Sequence, residues 1–241
     1  MSAYNQFCPI AMASEVLLGR WTPLILREMF YGAKRFSDIQ RGVPLMSRTL
    51  LAHRLREMEE DGLIASLKKS GGPGREYRLT ESGEQMRPMM EFLARWGQQW
   101  TADKVGPEEL DPSLALWGLR RSVDRAQVPD RRVVVQFQFR GVPRLRTAVR
   151  LGWLVLARDE VDVCLKDPGY DVDLIVRADL GSFVRVWMGY ADCGEMLARG
   201  AIAFDGPAGY ARDFWKWIGV AGKPRRDTFL PGAIPAAPGA H

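Results

Sequence analysis

Between Ser47 and Thr80 the chain reads "SRTLLAHRLREMEEDGLIASLKKSGGPGREYRLT", and this stretch restricts the fold more than any other. Leu51, Leu55 and Met58 recur at helical steps. They mark the inward stripe of a helix that Ser47 caps and Gly62 ends. Leu50 and Arg54 flank that stripe, whereas Arg48, Thr49, Ala52, His53 and Arg56 point away from it. "LIASLKK" and "REYRLT" then read as two strands, and "SGGPG" between them is too polar and too flexible to be core. The result is a helix followed by a projecting hairpin.

Upstream, a helix is predicted over residues 14–31, with Ser14 as its cap, Gly32 just past its end and Pro23 inside as a kink or break. A short helix follows in "RFSDIQRGV", with Phe36 and Ile39 inward. Downstream, Thr80 is expected to cap a long helix through about Thr101. Met86, Met89, Met90, Leu93, Trp96 and Trp100 form a stripe on it too broad for one small domain to cover, so part of it should meet a partner chain.

Helix, short helix, turn, helix and hairpin is the winged helix-turn-helix plan, in which a helix enters the major groove and offers its first side chains to base edges. Ser47, Arg48 and Thr49 are the right types for that task. Arg56, further along, suits a phosphate, as do Lys68, Lys69 and Arg75 at the base of the hairpin. His53 either faces the groove or merely lies at the surface, and Arg54 is expected to pair with Glu57 or another acid. Exposed cations usually form a solvated face; here five or six converge on one side, which favours DNA. Bulk charge does not decide it. The net charge is +5, and up to Lys104 there are 15 Lys and Arg against 12 Asp and Glu, with 19 against 17 beyond.

Four short steps carry a family resemblance: Cys8-Pro9, Gly19-Arg20-Trp21-Thr22, Arg35-Phe36-Ser37-Asp38-Ile39 and Leu79-Thr80-Glu81-Ser82-Gly83. Through them roughly residues 5–100 resemble the HxlR-type bacterial transcription regulators. The resemblance implies a homodimer on a double-stranded DNA operator, held by the N-terminal segment and the long helix, and more often a repressor. It also implies that Cys8 is a possible redox or electrophile sensor. A small buried apolar residue at the dimer interface is the commoner role for such a cysteine.

"ADKVGPEELDPS" reads as a linker, after which the pattern changes. Asp111 caps a helix that begins at Pro112. "RVVVQFQF", "RTAVRLGWLVLA", "EVDVCLK" and "DVDLIVRA" read as strands of a mainly antiparallel sheet. "DLGSFVRVWMGY" and "DCGEMLARG" read as helices, "AIAFDG" as a strand and "PAGYARDFWKWIGV" as a closing helix with Tyr210, Phe214, Trp217 and Ile218 inward. That order, with Trp187-Met188-Gly189 ending one helix, resembles sterol-carrier-protein-like domains, which wrap helices and a sheet around an apolar tunnel. The resemblance implies an apolar small-molecule ligand, with Phe137, Phe139, Trp153, Phe183, Trp187, Met188, Phe214 and Trp215 as lining candidates. Arg146, Arg150 and Arg185 are candidates to orient an acid group. Inward aromatics are more often plain core, and surface is the commoner fate of arginine.

The expected fold class is α+β. A winged helix-turn-helix domain occupies residues 1–104, a sheet-and-helix sterol-carrier-like domain residues 111–221, and a disordered tail residues 222–241. Three scattered cysteines and two histidines offer no disulfide framework, metal site or cofactor. Gly71, Gly72 and Gly74 lie between strands, with no helix opening after them, so they make no phosphate loop. Neither a catalytic constellation nor a membrane-spanning run is present, and a cytoplasmic regulator rather than an enzyme is expected. The alternatives are a lipid-binding carrier dimerised by its first half, and a regulator switched at Cys8.

Overall fold

The computed structural model describes residues 4–68, 74–101, 104–143 and 149–220. Lys69, Gly71, Gly72, Arg146 and the predicted tail lie outside those residues. The chain divides into two compact units, the first running to Arg95 and the second starting at Trp96. Both helices and a mixed sheet are present, so the fold is α+β.

The first unit contains α1 (Pro9–Leu17), α2 (Thr22–Phe30), α3 (Phe36–Gly42), α4 (Arg48–Glu60), β1 (Ile64–Lys68), β2 (Arg75–Leu79) and α5 (Glu81–Glu84). It also holds the start of α6 (Arg87–Trp100). This is a winged helix-turn-helix. The single helix expected over residues 14–31 is in fact two. α1 begins five residues earlier than expected, with Pro9 in its first turn, where a missing N–H costs nothing. The chain then breaks at Trp21, whose φ of 81° is left-handed, and restarts with Pro23 in the first turn of α2.

The long helix expected from Thr80 also divides. Thr80 Oγ1 accepts the Gly83 N–H at 3.1 Å and donates to the Gly62 carbonyl at 2.6 Å, yet α5 lasts one turn. A Cβ on Gly83 would come within 2.1 Å of the Leu63 carbonyl oxygen, so α5 is pressed against the start of β1. α6 then starts afresh with Pro88 in its first turn.

The core of this unit joins Ile25, Leu26 and Phe30 of α2, Ile39 of α3, and Leu51, Leu55 and Met58 of α4. All three positions of the predicted α4 stripe are buried. Buried Glu28 fills the space beside Gly42, where even a Cβ would lie 1.9 Å from its carboxyl carbon. α2 and α3 therefore approach closely enough to fix the turn into α4.

The second unit opens with a 3-10 turn (Pro107–Glu109) and α7 (Pro112–Ser122), whose cap Asp111 accepts the Ser113 and Leu114 N–H groups. Its sheet has the order β5-β4-β3-β6-β7, built from β3 (Val133–Arg140), β4 (Leu151–Leu156), β5 (Val161–Cys164), β6 (Leu174–Asp179) and β7 (Ile202–Asp205). β3 is central. It runs antiparallel to β4 and parallel to β6, and the other two pairings are antiparallel. α8 (Leu180–Trp187) and α9 (Cys193–Ala198) lie between β6 and β7, and α10 (Ala208–Trp217) closes the unit. Val133, Val135, Phe137 and Phe139 share one face of β3 and pack with α7, α8 and α10 residues in a single core. Gln136, Gln138 and Arg140 take the opposite face.

Candidate nucleic-acid interface

α4 owes its start to Ser47, whose hydroxyl accepts the Leu50 N–H at 3.2 Å. With that hydroxyl facing the helix end, Arg48 and Thr49 are the first exposed side chains of α4. The Arg48 guanidinium lies 5.0 Å from the centre of the Phe36 ring, a cation–π contact that limits its rotamers without using its N–H donors. The turn before α4 is braced twice. Gln40 Nε2 donates to the Met46 carbonyl at 2.7 Å, and Arg27 Nη2 donates to the Gly42 carbonyl at 2.7 Å.

Further along α4, His53 Nδ1 lies 3.3 Å from Glu57 Oε2 and Arg54 Nη1 3.0 Å from the same oxygen. The expected Arg54–Glu57 pair is thus present, and His53 competes for the same acid. Arg56 is exposed. On the wing, Lys68 stands directly across from Arg75, so two cations sit side by side at the base of the tip. Both are exposed. Lys69 lies outside the described residues.

One residue that holds this surface together was missed from sequence. Glu59 Oε1 accepts from Ser66 N–H at 3.2 Å and Ser66 Oγ at 2.6 Å, and Oε2 lies 3.5 Å from Arg75 Nη1. It fastens the end of α4 to both wing strands. The Ser66 hydroxyl bond, aided by Arg75, holds its carboxyl below the usual glutamate range. A depressed carboxylate contributes stability above its ordinary pKa and loses it as pH falls through the lower folded value. Glu59→Ala should therefore cost about 1 kcal/mol near neutrality, and less in acid. Thermal melts of the two proteins from pH 7 to pH 3 check this, and a pH-independent difference would contradict it.

The expected partner face is also open. Of the expected stripe, Trp100 is 60%, Trp96 49% and Leu93 38% exposed, and outside it Phe92 on α6 and Phe7 beside α1 are exposed as well. Met86 and Met89 instead pack on the first core, and Met90 is buried in it. Cys8 is half-buried at the N-cap of α1. Arg27 is engaged with Glu28 and Gly42.

In the second unit the aromatic candidates divide by face. Phe137 lies 5.6 Å from Phe139, 5.7 Å from Phe183 and 6.0 Å from Phe214 between ring centres, and Trp215 lies 5.2 Å from Phe214. These rings fill the space between sheet and helices with each other. Trp187 packs on α7, where a Cβ at Gly118 would meet its ring at 2.3 Å, and Met188 caps α8 and offers its carbonyl to Gln98. Trp153 does not join the cluster. Its partner in the sheet is Gln136, which puts it on the opposite face. A groove of about 270 Å³ is lined by Gln138, Phe139, Arg140, Arg150, Leu151, Arg177 and Ala178. Of the eight lining candidates, it contains Phe139. Arg185 is exposed on α8.

Among the described residues no group of three or more His, Cys, Asp or Glu could hold a metal ion, and no helix is long and apolar enough to cross a membrane.

Residues 16–105 match the HxlR-like helix-turn-helix family. The chain is 40% identical over 101 residues to an HTH-type transcriptional regulator of Mycobacterium tuberculosis, a match covering 41% of this chain and 62% of that protein, less than two thirds of its length. It is 31% identical over 109 residues to the HTH-type transcriptional regulator YvaP of Bacillus subtilis, covering 44% of this chain and 97% of YvaP. A solved structure, the reduced form of the transcriptional regulator YodB from B. subtilis, is similar at 31% identity and a TM-score of 0.35, covering 39% of this chain and 95% of that one.

Proposed function

This chain belongs to the HxlR-like helix-turn-helix family of transcriptional regulators, and from that premise we propose that it is a homodimeric repressor whose second unit senses a small molecule. The observation that carries the reading is the start of α4. Arg48 and Thr49 are exposed on a capped helix whose preceding turn is braced, and Arg48 rests on Phe36 through a contact that uses none of its N–H donors. A guanidinium so placed suits a bidentate contact to guanine. Lys68 and Arg75 on the wing, and Arg56 on α4, suit phosphates, and Ser47, Thr49, His53 and Lys69 complete the proposed contact set. The exposed aromatic residues of α6, together with Phe7, support pairing of two chains, because a partner would take these large apolar side chains out of water. Two recognition helices would then meet half-sites about one helical turn apart. The sterol-carrier-like element order of the second unit supports a sensing role. For sensing, the ligand must bind the DNA-competent and incompetent states with different affinity.

The test is fluorescence anisotropy with the protein's own promoter DNA at two salt concentrations. Arg48→Ala should weaken promoter binding roughly 10–100-fold and relax sequence preference, while Lys68→Ala weakens all sequences alike and lowers the salt slope. Unchanged affinity in both variants would remove the DNA reading and favour a carrier protein.

A further inference from the structure

We infer that the groove at the end of the second unit's sheet binds a small amphipathic carboxylate, an inference that rests on the sensor reading above. The groove lies where β3 and β6 finish and β4 begins. Three guanidiniums line it. Arg177 is paired with Asp205 at 2.8 Å, and its Nε donates to Gln138 Oε1 at 3.2 Å. Arg140 donates to the Gly200 carbonyl, a neutral acceptor. Among the described residues Arg150 has no side-chain hydrogen bond or ion pair. Asp179, across from Arg140 in the sheet, caps α8 through Oδ1, which accepts from the Ser182 N–H and hydroxyl. Asp205 is the one carboxylate ion-paired with these three arginines among the described residues, and with Asp179 also counted the arginines keep one positive charge in excess.

The rest of the lining is apolar. Leu151 is 45% exposed on a strand directly beside Arg150, and Phe139 and Ala178 complete the wall. An anion would relieve the mutual repulsion of the arginines, and an apolar body would cover Leu151. Inorganic phosphate answers the charge and leaves Leu151 in water. An uncharged lipid covers Leu151 and leaves the charge unanswered. A carboxylate on a short apolar body satisfies both. The volume of about 270 Å³ falls just under the roughly 300–1,000 Å³ of sites for drug-sized ligands, which sets the size as small.

Isothermal titration of the full-length protein with octanoate, octanol and inorganic phosphate at constant ionic strength tests this. Octanoate should bind saturably, with octanol and phosphate at least roughly tenfold weaker. Arg150→Gln should weaken octanoate roughly tenfold with an unchanged melting temperature, whereas Arg185→Gln on α8 should leave it unaltered. The inference is overturned by absent octanoate binding, by octanol or phosphate binding as well, or by an Arg150→Gln variant that binds normally. Repeating the titration with the promoter complex separates the two ideas. Octanoate that binds through Arg150 without changing DNA affinity keeps the site and removes the sensor reading.

Discussion

Phe137→Ala should destabilise the second unit by about 3–5 kcal/mol. Phe137 is fully buried at the centre of β3 and touches three other rings, from its own strand, α8 and α10. Its loss removes the transfer energy of the ring, leaves a cavity and breaks aromatic contacts worth about 0.5–1.5 kcal/mol per pair. The size of the effect decides between two roles. A ring that fills the core forfeits contacts on all sides when truncated. A ring that lines an apolar tunnel already faces space on one side and costs less. Urea unfolding of the full chain, followed by circular dichroism and fitted for two transitions, gives the number. A loss below about 2 kcal/mol would point to a tunnel and return Phe137, Phe139, Phe183, Phe214 and Trp215 to the lining of a ligand site.

Why sequence could not make that choice is plain from the strand itself. Val135, Phe137 and Phe139 alternate with Gln136 and Gln138, and alternation reports which face is apolar, not whether the space beyond it is filled. Trp153 was harder still. β4 reads as a nearly continuous apolar run, so no alternation assigns its faces, and the register with Gln136 was needed to turn Trp153 away from the cluster. Trp153 is nonetheless only 5% exposed, which is why composition alone draws it toward the core.

The first unit was more legible because its signals are local. Ser47 and Thr80 act as caps where the sequence places them, since a cap bonds an N–H within three residues. The divisions of the two long predicted helices had a signal that was only partly used. Pro9, Pro23 and Pro88 all lie in the first turn of a helix, so each proline marks a beginning, and of the kink or break expected at Pro23 it is the break that occurs. The candidate DNA face was legible in its cations and silent in its supports. Gln40, Arg27 and Glu59 act across 6, 15 and 7 residues, and no periodicity announces a hydrogen bond to a distant carbonyl or strand.

Leu55→Ala separates support from contact and carries the other large effect, a loss of about 2–5 kcal/mol from the first unit. Leu55 is buried on the inward stripe of α4, between Leu51 and Met58, whereas Arg56 is exposed. At roughly 4–8 °C per kcal/mol for a unit of this size, the melting temperature should fall by about 8 °C or more. The variant that stays folded still presents Arg48, Thr49 and Lys68, so below its new transition it should bind promoter DNA within a few-fold of the parent. Arg48→Ala should do the reverse, melting with the parent and binding weakly, because its side chain stacks on a half-buried ring and fills no core. Anisotropy at 10 °C beside a thermal melt of each protein distinguishes them. If Leu55→Ala loses DNA affinity while its melting temperature holds, α4 is not positioned by this core. The helix would then be set by something other than its packing on α2 and α3.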